Sequence, residues 1–213
     1  MSLYSLRPRV YLVDDDPTVR TALSRALASE GFDTQGWDSA DAFLAEHDEQ
    51  APGCVVTDLA MPGMSGLDLQ RELLARGCAR PIVFVTGYGN ISMSVQAMRA
   101  GAVTFLPKPV RAADLAHAVR EALARDELLR AAHAQRAAVE SRLNELTARE
   151  KEVLTLVIAG KMNKQIAAEL GAAEKTIKVH RGRVMNKMRV RSVAELVTLT
   201  SHMNDRHHGA APL

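Results

Sequence analysis

Cysteine is scarce in this chain: Cys54 and Cys78 are the only two. Two thiols cannot build the disulfide framework that holds small secreted domains together. Cys54 sits inside an apolar run, Cys54-Val55-Val56, and reads as an inert core thiol. Aromatic residues are scarce as well, at 4%, so any core must be largely aliphatic; the 47% hydrophobic content is ample for that. No uninterrupted apolar stretch approaches the roughly 18 residues of a membrane-spanning helix. The opening MSLYSLRPRV lacks the apolar core of a secretory signal. A soluble, cytoplasmic protein with no membrane partner is expected. A length of 213 residues suits one large or two small domains.

Charge is nearly balanced, at +2, but unevenly placed. Residues 145–200 carry 11 Lys+Arg against 6 Asp+Glu, while the rest of the chain holds 16 basic and 19 acidic residues. A basic C-terminal block beside a mildly acidic N-terminal part points to a polyanion partner for the former alone.

Residues 9–110 alternate short apolar runs with amphipathic segments. Strands are expected at 9–13, 32–36, 53–57, 81–86 and 103–106. Helices are expected at 17–30, 39–47, 65–76 and 91–100, with a fifth from about 111. This alternation implies βαβ units and a parallel sheet. Asp16-Pro17 is a helix start, an acidic N-cap followed by proline at the first helical position. Residues 111–143 contain no glycine or proline and read as one long helix. Leu115, Val119, Ala122, Leu129, Ala132, Val139 and Leu143 fall near heptad spacing, broken at Arg125–Asp126 and Arg136. Two readings stay open: a helix packed on the sheet and continuing as a solvated spacer, or a coiled-coil seam. Thr147-Ala148-Arg149-Glu150 is a capping box. It opens a set of short helices, at 163–170, 174–188 and 192–201 after the first, that fits a helix-turn-helix unit. His207-His208 lies in a short polar tail with too few ligands for a metal site. The expected limits are therefore 1–125 for the first domain, 126–143 for a helical linker, 144–205 for the second domain and 206–213 for the tail.

Chemistry-bearing residues follow four of the apolar runs. Asp14-Asp15-Asp16 follows Val10–Val13, Asp58 follows Cys54–Thr57, Thr86 ends Ile82–Val85, and Lys108 follows Val103–Leu106. In an open α/β sheet such positions lie at the carboxyl ends of strands, where ligands bind. With strand order 2-1-3-4-5, strands 1 and 3 flank the switch point and the acids converge. Clustered carboxylates repel unless a cation sits among them. Mg²⁺, which takes one or two carboxylates and leaves room for phosphate, suits the cluster. Asp14, Asp15 and Asp58, with the backbone carbonyl of Ala60, are its expected ligands. Asp58 stands among small and turn-forming residues, which leaves it accessible as a nucleophile toward a phosphodonor. Lys108 and Thr86 would meet the phosphoryl oxygens, while Asp16 caps its helix.

With VDDD, VVTDLAMPGMSG, VFVTGYG and AGAVTFLPKP in this order, residues 9–125 resemble the receiver domain of a bacterial two-component response regulator. The resemblance implies a (βα)₅ doubly wound fold, phosphorylation of Asp58 by a sensor histidine kinase, and dependence on Mg²⁺. It also implies a switch in which Thr86 moves toward the phosphate and Phe105 turns into the vacated space, and a cis peptide between Lys108 and Pro109.

The motifs LTAREKEVLTLVIAGKMNKQIAAELG and EKTIKVHRGRVMNKM resemble the LuxR-type helix-turn-helix domain, so the chain as a whole is similar to the FixJ/NarL class of transcription regulators. On the segment 174–188, Ile177, Val184 and Met188 form the inward stripe. Lys178, Val179, Arg181 and Gly182 can then enter a major groove. Lys175, Thr176, Arg183 and Lys187 are expected at phosphates. Ala173 stands where the family usually has a Ser or Thr cap, a loss worth about 1 kcal/mol that Glu174 offsets in part. The implied partners are a sensor kinase, double-stranded DNA, RNA polymerase, and a second copy of the chain. Pairing would use a face built by the fourth helix, fifth strand and fifth helix. Two other readings compete. Asp14-Asp15-Asp16-Pro17-Thr18 also fits the opening of haloacid-dehalogenase-like phosphatases, but nothing there explains DLAMPGMSG or the basic C-terminus. A C-terminal module for RNA or protein fits the basic helix less well than DNA.

Overall fold

The computed structural model describes residues 7–87 and 91–204, with backbone alone for 91–92 and 202–204. The residues before Arg7 and the His207-His208 tail lie outside this range. Two compact units are present, Met1–Ala131 and Ala132–Leu213.

In the first unit, strands β1 (Arg9–Val13), β2 (Asp33–Trp37), β3 (Gly53–Thr57), β4 (Ile82–Thr86) and β5 (Thr104–Pro107) form one sheet. All pairings are parallel, and the order is β2-β1-β3-β4-β5. Helices α1 (Pro17–Ser29), α2 (Ala40–Glu46), α3 (Gly66–Ala75), α4 (Ile91–Arg99) and α5 (Ala112–Asn144) follow the strands. The expected elements are all present, with ends moved by a residue or so.

Alternation along the strands sorts side chains to two faces. Tyr11, Val13, Val55, Ile82 and Phe84 join Leu69 and Leu73 of α3 on one side. Val10, Leu12, Cys54, Val56, Val83 and Val85 join Leu27 of α1 and Leu115, Val119 and Ala122 of α5 on the other. Cys54 is fully buried, and burial first, then the charge of Asp126, pushes its thiol up to about 12. That is an inert thiol.

Helix α5 does not present one continuous stripe. Leu115, Val119 and Ala122 serve the sheet, Val139 and Leu143 serve the second unit, and the stretch between is largely exposed, with Leu128 at 73%. Its first part packs on the sheet, its middle is exposed, and its end joins the second unit's core, so the solvated stretch is shorter than the expected second half. Asp126, read from sequence as a break in the heptads, is an anchor. It is buried and accepts a hydrogen bond from the Gly53 N–H at 3.0 Å. Gly53 has φ +154°, and a Cβ there would lie 2.2 Å from the carbonyl oxygen of Arg9. Only glycine fits, and its amide is what holds α5 at this point.

The second unit packs the end of α5 with α6 (Ala148–Ile158), α7 (Asn163–Glu169), α8 (Glu174–Met188) and α9 (Val193–Asn204). α9 runs three residues beyond the expected end at 201. The capping box at Thr147 and Glu150 is formed. Ala173 caps α8 without a side-chain hydrogen bond, as the sequence implied.

Glu150 does more than cap. Its side chain also accepts from the Lys187 ammonium of α8 at 2.6 Å and is itself buried. The Lys187 hydrogen bond first, then the Thr147 N–H, lower its carboxyl to about 2. A carboxyl depressed in the folded state stabilises above its unfolded value, near 4.5, and loses that contribution as pH falls toward about 2. Glu150→Gln should cost about 1–3 kcal/mol at neutral pH, from the lost charge-assisted bond. It should also flatten the acid limb of unfolding of this unit, measured by denaturant titrations followed through helical circular dichroism. An acid limb unchanged by the substitution would dismiss the assignment.

Candidate functional site

The sheet register builds the site. Val13 pairs with Thr57, Thr57 with Phe84, and Thr86 with Pro107. The residues that follow β1, β3 and β5, and the last of β4, therefore gather at one end of the sheet. The Asp58 N–H donates to the Val13 carbonyl at 3.0 Å, and the Lys108 N–H to the Thr86 carbonyl at 2.8 Å. These bonds tie Asp58 to β1 and Lys108 to β4. The Lys108–Pro109 peptide is cis, as the resemblance implied.

Lys108 is the centre. Its ammonium donates to Asp14 Oδ2 at 2.7 Å and to Asp58 Oδ2 at 2.6 Å. Partial burial on its own would lower the lysine pKa, but the hydrogen bonds to Asp14 and Asp58 prevail and raise it. It is a fixed positive charge at any physiological pH. Asp14 is buried, 2% exposed, and its Oδ1 accepts from the Asp16 N–H. Asp58 Oδ1 accepts from the Ala60 N–H at 3.2 Å. The Asp58 side chain is 13% exposed, so it is more enclosed than its small neighbours suggested. It is also not solitary, being held by Lys108.

Asp15 is exposed beside this pair. Among the described residues, no three His, Cys, Asp or Glu side chains form a ready-made metal cluster. Of the three expected carboxylate ligands, Asp14 and Asp58 are bridged by Lys108, and Asp15 lies exposed next to Asp14 in the chain. The arrangement is electrostatically favourable, since the Lys108 ammonium lies between two carboxylates that would otherwise repel. The donors suit a hard cation nonetheless, since all are oxygens and an open edge remains. Asp16 is the cap of α1. Its Oδ1 accepts from Thr18 and Val19, and the Thr18 N–H is the largest cause of its lowered pKa.

Thr86 is buried at the end of β4. Phe105 is partly buried, its ring centroid 6.4 Å from that of Phe84. Gly66 seats α3 on this end: a Cβ there would lie 2.2 Å from the Asp58 carbonyl oxygen and 3.1 Å from the Phe84 ring.

In the second unit, α8 buries Ile177, Val184 and Met188 and exposes Lys175, Thr176, Lys178, Val179, Gly182 and Arg183. Val179 is 48% exposed. Gly182 has open space around its would-be Cβ. A mid-helix glycine costs about 0.5–1 kcal/mol relative to alanine, and among the described residues none crowds this position. Two basic residues depart from expectation. Arg181 is half-buried and donates to Asn163 Oδ1 of α7 at 3.0 Å. Lys187, expected at a phosphate, directs its ammonium to Glu150 and to the Glu145 carbonyl. It fastens α8 to α6, and a charge so placed is an internal tie. Spacing along one helix gave no sign of either partner, because Asn163 and Glu150 come from other helices.

Residues 10–120 match the family described as the response regulator receiver domain, and residues 144–200 match the bacterial regulatory proteins of the luxR family. The chain is 42% identical over 196 residues to the response regulator protein TmoT of Ectopseudomonas mendocina, covering 92% of this chain and 89% of that one. It is 40% identical over 190 residues to the transcriptional regulatory protein FixJ of Azorhizobium caulinodans, covering 89% and 90%. Among solved structures, the response regulator StyR superposes with a TM-score of 0.81 at 46% identity, covering 91% of this chain and 98% of that one.

Proposed function

The chain belongs to the FixJ/NarL class of response regulators, DNA-binding transcriptional regulators rather than enzymes, and from that premise we propose that Asp58 is the phosphoacceptor and switch. The family pairs with a sensor kinase, binds DNA, and generally binds Mg²⁺ in its acidic site. The phosphatase reading of Asp14–Thr18 is not favoured.

One observation carries the proposal: Lys108 bridges Asp14 and Asp58 at the carboxyl end of the sheet. That arrangement supplies a carboxylate nucleophile, a cation for phosphoryl oxygens, and an acid to help hold Mg²⁺. Asp14 and Asp58, joined by Asp15 and the Ala60 carbonyl, are the ligands in this reading. The metal supplies charge neutralisation for in-line transfer. Phosphorylation adds charge and acceptor oxygens at Asp58, and Lys108 and Thr86 turn toward them. The space Thr86 leaves admits Phe105. The receiver domain then spans 1–125 with Asp126 just beyond it as the last anchor, followed by a helical linker to 143 and the DNA-binding domain at 144–205. A cytoplasmic setting and contact with RNA polymerase go with this role.

Dimerisation through the α4–β5–α5 face joins two DNA-binding domains and lifts their affinity for paired half-sites. Val95 and Met98, at 44% and 47% exposure on α4, supply apolar surface for it. Light scattering with and without Mg²⁺ plus beryllofluoride tests the reading. A rise from monomer to dimer mass is expected on adding the mimic. A mass that does not change, with mimic binding verified, would overturn phosphorylation-driven pairing.

A further inference from the structure

Along α3, the buried residues Gly66, Leu67, Leu69 and Leu73 are apolar, and Gln70, 3% exposed, is the exception. Its Nε2 donates to the carbonyls of Ala97 and Ala100 at 3.3 Å each, in the last turn of α4 and just beyond it. Its Oε1 is buried with no hydrogen-bond partner. An orphaned buried acceptor is costly. The Ala97 carbonyl also accepts from the Ala102 N–H at 3.0 Å, so both of its lone pairs are engaged. Leucine or methionine, of similar volume, would remove the orphaned Oε1 while the Ala97 and Ala100 carbonyls lose their Gln70 donor. The resting fold alone gives small reason for an amide here.

What the amide does is join two elements. α3 begins at Gly66, whose N–H donates to the Leu59 carbonyl at 3.1 Å and which lies against the backbone of Asp58. The start of α3 cannot stay still if that loop moves, because there is no slack between them. Gln70 lies about one turn further along the same helix. Its partners end α4, the helix that carries Val95 and Met98.

We infer that Gln70 is a positioning residue that transmits displacement of the Asp58 loop to the C-terminal end of α4. This rests on the proposed role of Asp58 and deepens it. Two long, directional bonds from one rotatable amide hold the end of α4 in register with α3 and re-form when α3 shifts. Apolar packing alone would let the two helices slide.

The test uses the full chain with Gln70→Leu and Gln70→Met, two variants so that a folding defect in one does not decide the matter. Beryllofluoride affinity, the thermal midpoint and the mimic-dependent dimerisation constant are measured for each. Mimic affinity should stay within about threefold and the midpoint should hold or rise, while the mimic's enhancement of dimerisation should fall at least about fivefold. Enhancement equal to the parent's in both variants would overturn the inference. So would a loss that tracks a lower midpoint or weaker mimic binding, since Gln70 would then be structural or part of the pocket. A parent chain that binds no mimic would instead mark the failure of the Asp58 reading, and the inference would go with it.

Discussion

Asp58→Asn should abolish the response to a small-molecule phosphodonor and to beryllofluoride, while basal DNA affinity stays within about twofold of the parent. The amide keeps the shape of the side chain but cannot form an acyl phosphate. The fold should survive. Lys108 retains Asp14, at 2.7 Å, as its partner, and Asp58 is the more exposed of the two carboxylates. Losing one of the two charge-assisted hydrogen bonds of Lys108 should cost on the order of 1–3 kcal/mol. The change should therefore separate chemistry from stability, which Asp14→Asn would not, because Asp14 is buried and its charge faces Lys108 with little water to replace it. Mass spectrometry after phosphodonor treatment reads the outcome. Undiminished labelling of the Asp58→Asn variant would place the phosphoacceptor elsewhere.

The fold is legible in the sequence because its signals are local. Alternating short apolar runs mark all five strands, and a proline after Asp16 marks the start of α1. The position of each acid at a strand end needs only the parallel order. The expected Lys108–Asp58 meeting follows from register, since β5 lies beside β4 and β4 beside β3. What stays hidden are polar residues whose partners lie far along the chain. Asp126 meets Gly53 across 73 residues, and Gln70 meets Ala97 across 27. A buried polar side chain looks the same in sequence as a solvated one, and only the tertiary partner distinguishes them. The tie of Lys187 to Glu150 is hidden in the sequence for the same reason. Helical periodicity gives its face, but the acid that claims it comes from the capping box of α6. The carboxylate cluster is a different case: sequence gives the acids as ligands and the lysine for phosphate, and the fold also sets the lysine between Asp14 and Asp58.

Removing the charges of Lys175, Lys178 and Arg183 together, each to alanine, should weaken binding to any duplex by about a hundredfold or more near physiological salt. It should also lower the steepness of the salt dependence by about 1.8 for the two phosphate-facing charges, Lys175 and Arg183, on the rule of roughly 0.9 per phosphate neutralised. The three side chains are exposed on α8 and lie outside the apolar cluster that holds the domain together, so their loss should leave it folded. Lys187→Ala is the contrast. Its ammonium is held by Glu150 and the Glu145 carbonyl, so its removal should destabilise the domain and leave the salt slope nearly unchanged. Val179→Ala makes a third case, because an exposed apolar side chain can meet a thymine methyl but no phosphate. It should alter the ranking of sequences at constant slope. Fluorescence anisotropy titrations across a salt series distinguish the three patterns. A full loss of slope from Lys187→Ala in a folded protein would put that lysine back at the DNA and remove the reason for reading it as the tie between α6 and α8.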